Sequence, residues 1–133
     1  MNTITLLFIL TSIKYNLPPG LLKSLCYIES KHDTSVVSVN DGGSDSIGIC
    51  QVKLKTAKWL GFKGNEKDLL KPENNIEYAG KYLKYQIERY DSLSKGVIAY
   101  NRGNSKGLTN SIYLDKVINQ WKEDKKWRKI AKE

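Results

Sequence analysis

Apolar residues in this chain recur at the three- and four-residue spacing of a helix, and alternate as a strand would for no more than a few residues. Leu21, Leu22, Leu25 and Ile28 follow Pro18-Pro19, and Ile76, Ala79, Leu83, Ile87 and Tyr90 follow Pro72. Ile112, Val117, Ile118 and Trp121 follow a glycine-bounded loop at 102–107. Proline disfavours helix in the residue before it and tolerates the first helical turn, so each of these breaks both ends one helix and permits the next. The pattern predicts a mainly α fold of short helices joined by polar loops. A first helix stops near Asn16-Leu17-Pro18-Pro19 and a second runs to about Lys31. A third covers 50–60 with Gly61 as its cap, the longest begins at Pro72, and a shorter one spans Leu93 to Asn101.

Between the second and third helices, residues 33–47 (DTSVVSVNDGGSDSI) are dense in Ser, Asp, Asn and Gly. That composition predicts a long loop or small irregular hairpin, with Val36, Val37 and Val39 as a short extended piece. So long a loop in a chain of 133 residues is more often functional than idle. The length suits one domain, 1–133, with a single core and no room for a second one. Ile4 to Ile13 is apolar but far shorter than the ~20 residues of a bilayer-spanning helix, so no stable membrane insertion is expected. It reads as the first helix of the domain rather than a secretory signal. No Lys or Arg precedes it and no small-x-small cleavage site follows, so the route of export is left open.

Charge narrows the partners without choosing among them. There are 22 Lys and Arg against 14 Asp and Glu, a net +8, which suits nucleic acid, anionic lipid or an anionic wall polymer. Two cysteines, Cys26 and Cys50, cannot build a disulfide framework, and a lone His32 rules out a Cys/His zinc cluster. They read as free buried thiols in preference to a single disulfide, a pairing that sequence alone does not fix. No phosphate-binding glycine loop follows a strand pattern.

Three motifs can carry chemistry. Glu29-Ser30 ends an apolar helix beside the polar loop, where partial desolvation would raise the carboxyl pKa toward neutrality and make it a general acid. Gly48-Ile49-Cys50-Gln51-Val52 offers a glycine that lets backbone approach a ligand and an amide suited to sugar hydroxyl or N-acetyl groups. Ala99-Tyr100-Asn101-Arg102-Gly103 ends a helix with a phenol, an amide and a turn glycine. Each alone is equally an ordinary helix end or loop junction. His32, three residues past Glu29, could share its side of the helix, although an exposed helix-end histidine is the commoner case.

Taken in order, with Asn75-Ile76 before Gly80-x-Tyr82-Leu83 between the second and third, the motifs form a pattern. From about Tyr15 to Trp121 the sequence resembles the catalytic domain of soluble lytic transglycosylases, lysozyme-like enzymes that cleave peptidoglycan. Leu17-Pro18-Pro19 with Leu21-Leu22 is similar to that family's lead-in, and Tyr113 with Lys116-Val117 to its closing helix. The resemblance implies an α+β lysozyme-like fold and no cofactor or metal. It makes Glu29 the sole catalytic carboxyl group and Ser30 an orienting neighbour. Ser46, Ile49, Cys50, Gln51, Asn75, Tyr100 and Asn101 become substrate-binding positions, with Tyr100 touching the acid. Cys50 where Met is common, and Arg102 where Ala is common, depart from the pattern.

The implied reaction breaks the bond between N-acetylmuramic acid and N-acetylglucosamine and leaves a 1,6-anhydro end. Goose-type lysozymes, a related family of hydrolases, are the alternative, and need a second carboxylate to activate water. Where they can carry Asp after the Gln motif this chain has Lys53; Asp41 is the best-spaced substitute, but Asn-Asp-Gly-Gly is also an ordinary turn. A wall-binding module that has lost catalysis and a nucleic-acid binder are the readings outside enzymology. The first is opposed by an intact Glu29, the second by basic residues that are scattered. The expected partners are therefore peptidoglycan glycan strands and not nucleic acid, met by a monomer. It would act at the bacterial wall, whether periplasmic, exported or lysis-associated as a phage endolysin would be, and the size and loop resemble phage enzymes more than large periplasmic ones.

Overall fold

The computed structural model describes the backbone of residues 1–132 and the side chains of residues 1–125. Trp121 to Glu133 carries six basic and three acidic residues, an amphipathic tail by sequence, and its side chains beyond Lys125 lie outside the described residues. Helix α1, Thr3–Lys14, starts on Asn2, whose side chain accepts from the Thr5 amide at 2.8 Å, the usual way a first-turn N–H is satisfied. Helix α2, Leu21–Ser30, buries Leu21, Leu22 and Leu25 completely and ends on Lys31 in the left-handed region. Stretch 33–47 is a hairpin: β1, Val37–Asp41, pairs antiparallel with β2, Ser44–Ile47, around Gly42-Gly43, with an irregularity between Ser38 and Asp41. A two-residue β3, Val52–Lys53, pairs with the other edge of β2.

The remaining elements are α3, Leu54–Trp59; α4, Glu66–Leu70; α5, Pro72–Tyr90; α6, Leu93–Arg102; and α7, Ile112–Lys132. Ile76, Ala79 and Leu83 of α5, Val97 and Ile98 of α6, and Leu114 and Val117 of α7 form the core together with the buried leucines of α2. Gly80 is the close approach of α5 to α1, since a methyl group there would stand 2.5 Å from Thr11 Cγ2. Trp121 Nε1 donates to the Pro19 carbonyl at 2.9 Å, strapping α7 across the start of α2. The mainly α fold with a small hairpin after α2 is as expected.

Four expectations change. Residues 50–53 are not helical: Gln51 sits at φ 53° and the chain makes β3 before α3 begins at Leu54. The longest helix is α7, at 21 residues, not α5 at 19. Cys26 and Cys50 are joined in a disulfide rather than free, because the hairpin returns the chain to α2 and leaves their Cα atoms 4.4 Å apart. His32 is half-buried rather than exposed: it packs between Phe8 and Tyr27, and its Nε2 donates to the Lys23 carbonyl at 2.8 Å.

Candidate active site

Everything that shapes the site follows from where α2 stops. Its apolar face carries the chain into the core and delivers Glu29 at the last turn, beneath a cavity of about 220 Å³. The floor holds Glu29, Gln51 and Tyr100, the hairpin side Asp41 and Ser46, and the far rim Thr56, Tyr82, Asn101, Arg102 and Gly103. Burial pushes the Glu29 carboxyl up to about 7 from 4.5. An O–H donated by Tyr113 to Oε2 at 2.5 Å pulls it the other way, and the negative charge of Asp41 adds to the rise. Desolvation dominates, because it penalises the charged form more than one hydrogen bond restores. A carboxyl poised there can both give and take a proton near neutral pH.

The turn Gly48–Gln51 is built to a tight specification. Gly48 lies at φ 79°, and a methyl group on it would stand 2.6 Å from Asn75 Nδ2. Asn75 is fully buried: its Oδ1 accepts from the Cys50 amide at 2.8 Å, and its Nδ2 donates to the Ile47 and Leu69 carbonyls at 2.7 and 2.9 Å. Tyr100 OH donates to the Cys50 carbonyl at 2.7 Å, and Ser30 Oγ to the Ile49 carbonyl at 2.7 Å. Gly48→Ala is therefore expected to cost about 2–4 kcal/mol, from left-handed strain plus overpacking. Chemical denaturation checks it, and a loss under 1 kcal/mol would mean the turn is far looser.

The sequence-derived site residues thus fall into two groups. Glu29, Asp41, Ser46, Gln51, Tyr100 and Asn101 line the cavity. Ser30, Ile49, Cys50 and Asn75 lie behind it and hold the turn through the bonds just described. Asp41 is both the turn residue and a cavity residue: it ends β1, and its Oδ2 accepts from Ser46 Oγ at 2.7 Å. Gln51 is gripped by the protein itself, with Oε1 accepting from Ser38 Oγ at 2.6 Å and Nε2 donating to the Gly48 and Val36 carbonyls. The hydroxyl that meets the acid belongs to Tyr113, not Tyr100. Tyr113 was legible only as part of a closing-helix match; 84 residues separate it from Glu29, and no local spacing marks such a contact. Among the described residues no group of three His, Cys, Asp or Glu is placed to hold a metal ion. No helix of the described residues is long and apolar enough to cross a membrane.

Comparison with known proteins identifies the family. The family model described as Transglycosylase SLT domain matches residues 7–127. Protein IpgF of Shigella flexneri is 35% identical over 94 residues, covering 69% of this chain and 62% of that protein. Protein IpgF of Shigella sonnei is 34% identical with the same coverage. The chain therefore spans less than two thirds of the length of either relative. No solved structure matches it.

Proposed function

The chain belongs to the Transglycosylase SLT domain family, and from that membership we propose that it is a peptidoglycan lytic transglycosylase acting at the bacterial cell wall as a monomer. The observation that carries the reading is a single desolvated carboxyl, Glu29, held near neutrality at the floor of a cleft. In the proposed reaction, protonated Glu29 gives its proton to the oxygen linking N-acetylmuramic acid to N-acetylglucosamine. That bond breaks, the glucosamine leaves with a free hydroxyl, and positive charge develops at muramoyl C1. The substrate's own N-acetyl oxygen stabilises C1 in the meantime. Glu29, now a carboxylate, takes the proton of the muramoyl C6 hydroxyl as its oxygen bonds to C1. The result is a 1,6-anhydro sugar, a regenerated acid and no water consumed. Tyr113 steadies the carboxylate stage through its donated hydrogen bond.

Lysines and arginines in net excess, +8, would steer the chain toward muramoyl-peptide carboxylates and anionic wall polymers. The Cys26–Cys50 bridge supports work outside a reducing cytosol. One observation favours hydrolysis as a second reading: Asp41 shares the cavity and is close enough to raise the Glu29 pKa. Mass analysis of digested peptidoglycan separates the two. Anhydro ends support transglycosylation, whereas reducing ends one water heavier would make the enzyme a muramidase.

Two further results are expected. The rate on peptidoglycan falls as pH rises through about 7, because the first step needs Glu29 protonated. A base-catalysed hydrolysis would add a second limb on the acid side. Tyr113→Phe removes the bond that favours the carboxylate, so the falling limb moves to higher pH while the plateau rate drops roughly tenfold. A limb that stays put would remove Tyr113 from the acid's surroundings.

A further inference from the structure

Beyond the rim of the cleft, α3 and α5 carry side chains onward one helical turn at a time. Thr56 and Tyr82 stand on the rim; three residues further along each helix come Trp59 and Tyr85, the spacing that keeps residues on one helical face. Together they line a second, shallow depression of about 320 Å³, continuous with the first because Thr56, Tyr82 and Gly103 border both. Trp59 is 62% exposed, and its ring and that of Tyr85 meet in a T-shaped contact at a centroid distance of 4.8 Å and an angle of 80°. A large aromatic ring left this open is the kind of exposed apolar surface that calls for a partner. Tyr85 braces it, so little conformational freedom is lost when something covers it.

The backing is rigid. Gln86, almost fully buried, donates to Tyr82 OH at 2.9 Å, and Arg89 Nη1 donates to the Gly103 carbonyl at 3.1 Å while its guanidinium lies over Tyr90. The first bond fixes Tyr82 on α5, and the second ties α5 to the turn after α6. Lys55, four residues before Trp59 on α3, borders the same depression and makes no hydrogen bond or ion pair among the described residues. The surface thus offers an open aromatic ring with a cation bordering the same depression.

Resting on the glycan-cleaving reading of the neighbouring cleft, we propose that Trp59 and Tyr85 form an outlying saccharide subsite for the same strand. The C–H face of a pyranose ring beyond the scissile bond packs on the Trp59 indole, and Lys55 meets a carboxylate of a muramoyl-peptide branch on the same strand. Continuity with the cleft selects the occupant, since whatever fills both depressions must be one extended polymer. The amphipathic indole selects its chemistry, a ring with an apolar face and polar edges.

The first test compares wild type, Trp59→Ala and Trp59→Tyr on glycan strands of tetrasaccharide and octasaccharide length. The ratio of kcat/KM on the long strand to that on the short one is expected to fall about tenfold in Trp59→Ala, and Trp59→Tyr is expected to restore most of it. An unchanged ratio, or equal loss at both lengths, would overturn the subsite. A second readout is independent of cleavage: the indole N–H resonance of Trp59 in the Glu29→Gln protein, followed while N-acetylglucosamine oligomers are added. The signal is expected to move with the octamer and stay still with the dimer, and no movement at any length overturns the proposal. If the wild type cuts no strand, the reading of the cleft fails on its own, while the indole resonance still decides whether Trp59 holds sugar.

Discussion

Glu29→Gln is expected to lose about a thousandfold or more in kcat on peptidoglycan, while melting at a higher temperature than the wild type above pH 7. Both halves come from the same burial. In the proposed mechanism one carboxyl serves as acid in the first step and base in the second, so an amide, which does neither, removes both. The amide keeps the shape and can still accept from Tyr113, so the cavity should stand. The stability half is a matter of linkage. The folded chain holds the Glu29 proton more tightly than the unfolded chain does, since its pKa is raised from 4.5 to about 7. The stability that this proton confers is fully present below about pH 4.5 and is lost as pH rises through 7, where burying the charge costs about 3 kcal/mol. Gln never ionises, so the variant should gain up to about that amount at pH 8 relative to its standing at pH 4. Thermal melts at the two pH values, beside a product assay, read both. Activity within tenfold of wild type would take Glu29 out of the mechanism; a stability gap that ignores pH would show that the carboxyl is not desolvated.

The burial of Glu29 was legible in the sequence. Glu29 is the first charged side chain after Leu25, Cys26, Tyr27 and Ile28, and a carboxylate at the seam between an apolar helix and a polar loop is half-buried almost by construction. The helices of the core were equally legible, because Ile76, Ala79 and Leu83 recur at helical spacing and are all buried. What escaped depends on distance in space rather than spacing in sequence. Tyr113 reaches Glu29 from α7, and the partner of Cys26 arrives only after the hairpin has turned back. The break at Gln51 escaped because Gln is an unremarkable helix former. Its left-handed backbone is held by Ser38, Val36 and Gly48, two of them on the approach to or within β1. Short α4 did leave a signal in the chain, the Asn65-x-x-Asp68 box whose two side chains cap each other's amides. Five residues are simply too few for a hydrophobic period to register.

Opening the Cys26–Cys50 bridge is expected to damage stability much more than rate. The bridge closes a loop with a sequence separation of 24, and chain-entropy scaling for a loop of that size gives about 3–4 kcal/mol. In a domain of this size that corresponds to roughly 10–15 °C in Tm. The segment it closes includes Glu29 and both strands of the hairpin, so the unfolded chain is freed where the site must be assembled. In molecules that remain folded, the position of the turn does not rest on sulfur alone. Asn75 holds the Cys50 amide, Tyr100 holds the Cys50 carbonyl, and Ser30 on α2 holds the Ile49 carbonyl. Each such bond contributes about 1 kcal/mol net and breaks at a greater cost if its buried group is left unpaired. Three together should keep Gln51 within reach of Glu29, so the rate of the folded fraction should fall less than tenfold. The Cys26→Ala/Cys50→Ala protein, melted and assayed well below its own Tm, tests both statements. A Tm within about 3 °C of wild type would leave the bridge without a stabilising role. A fall in rate beyond a hundredfold in fully folded protein would mean that the side-chain anchors do not hold the turn without it.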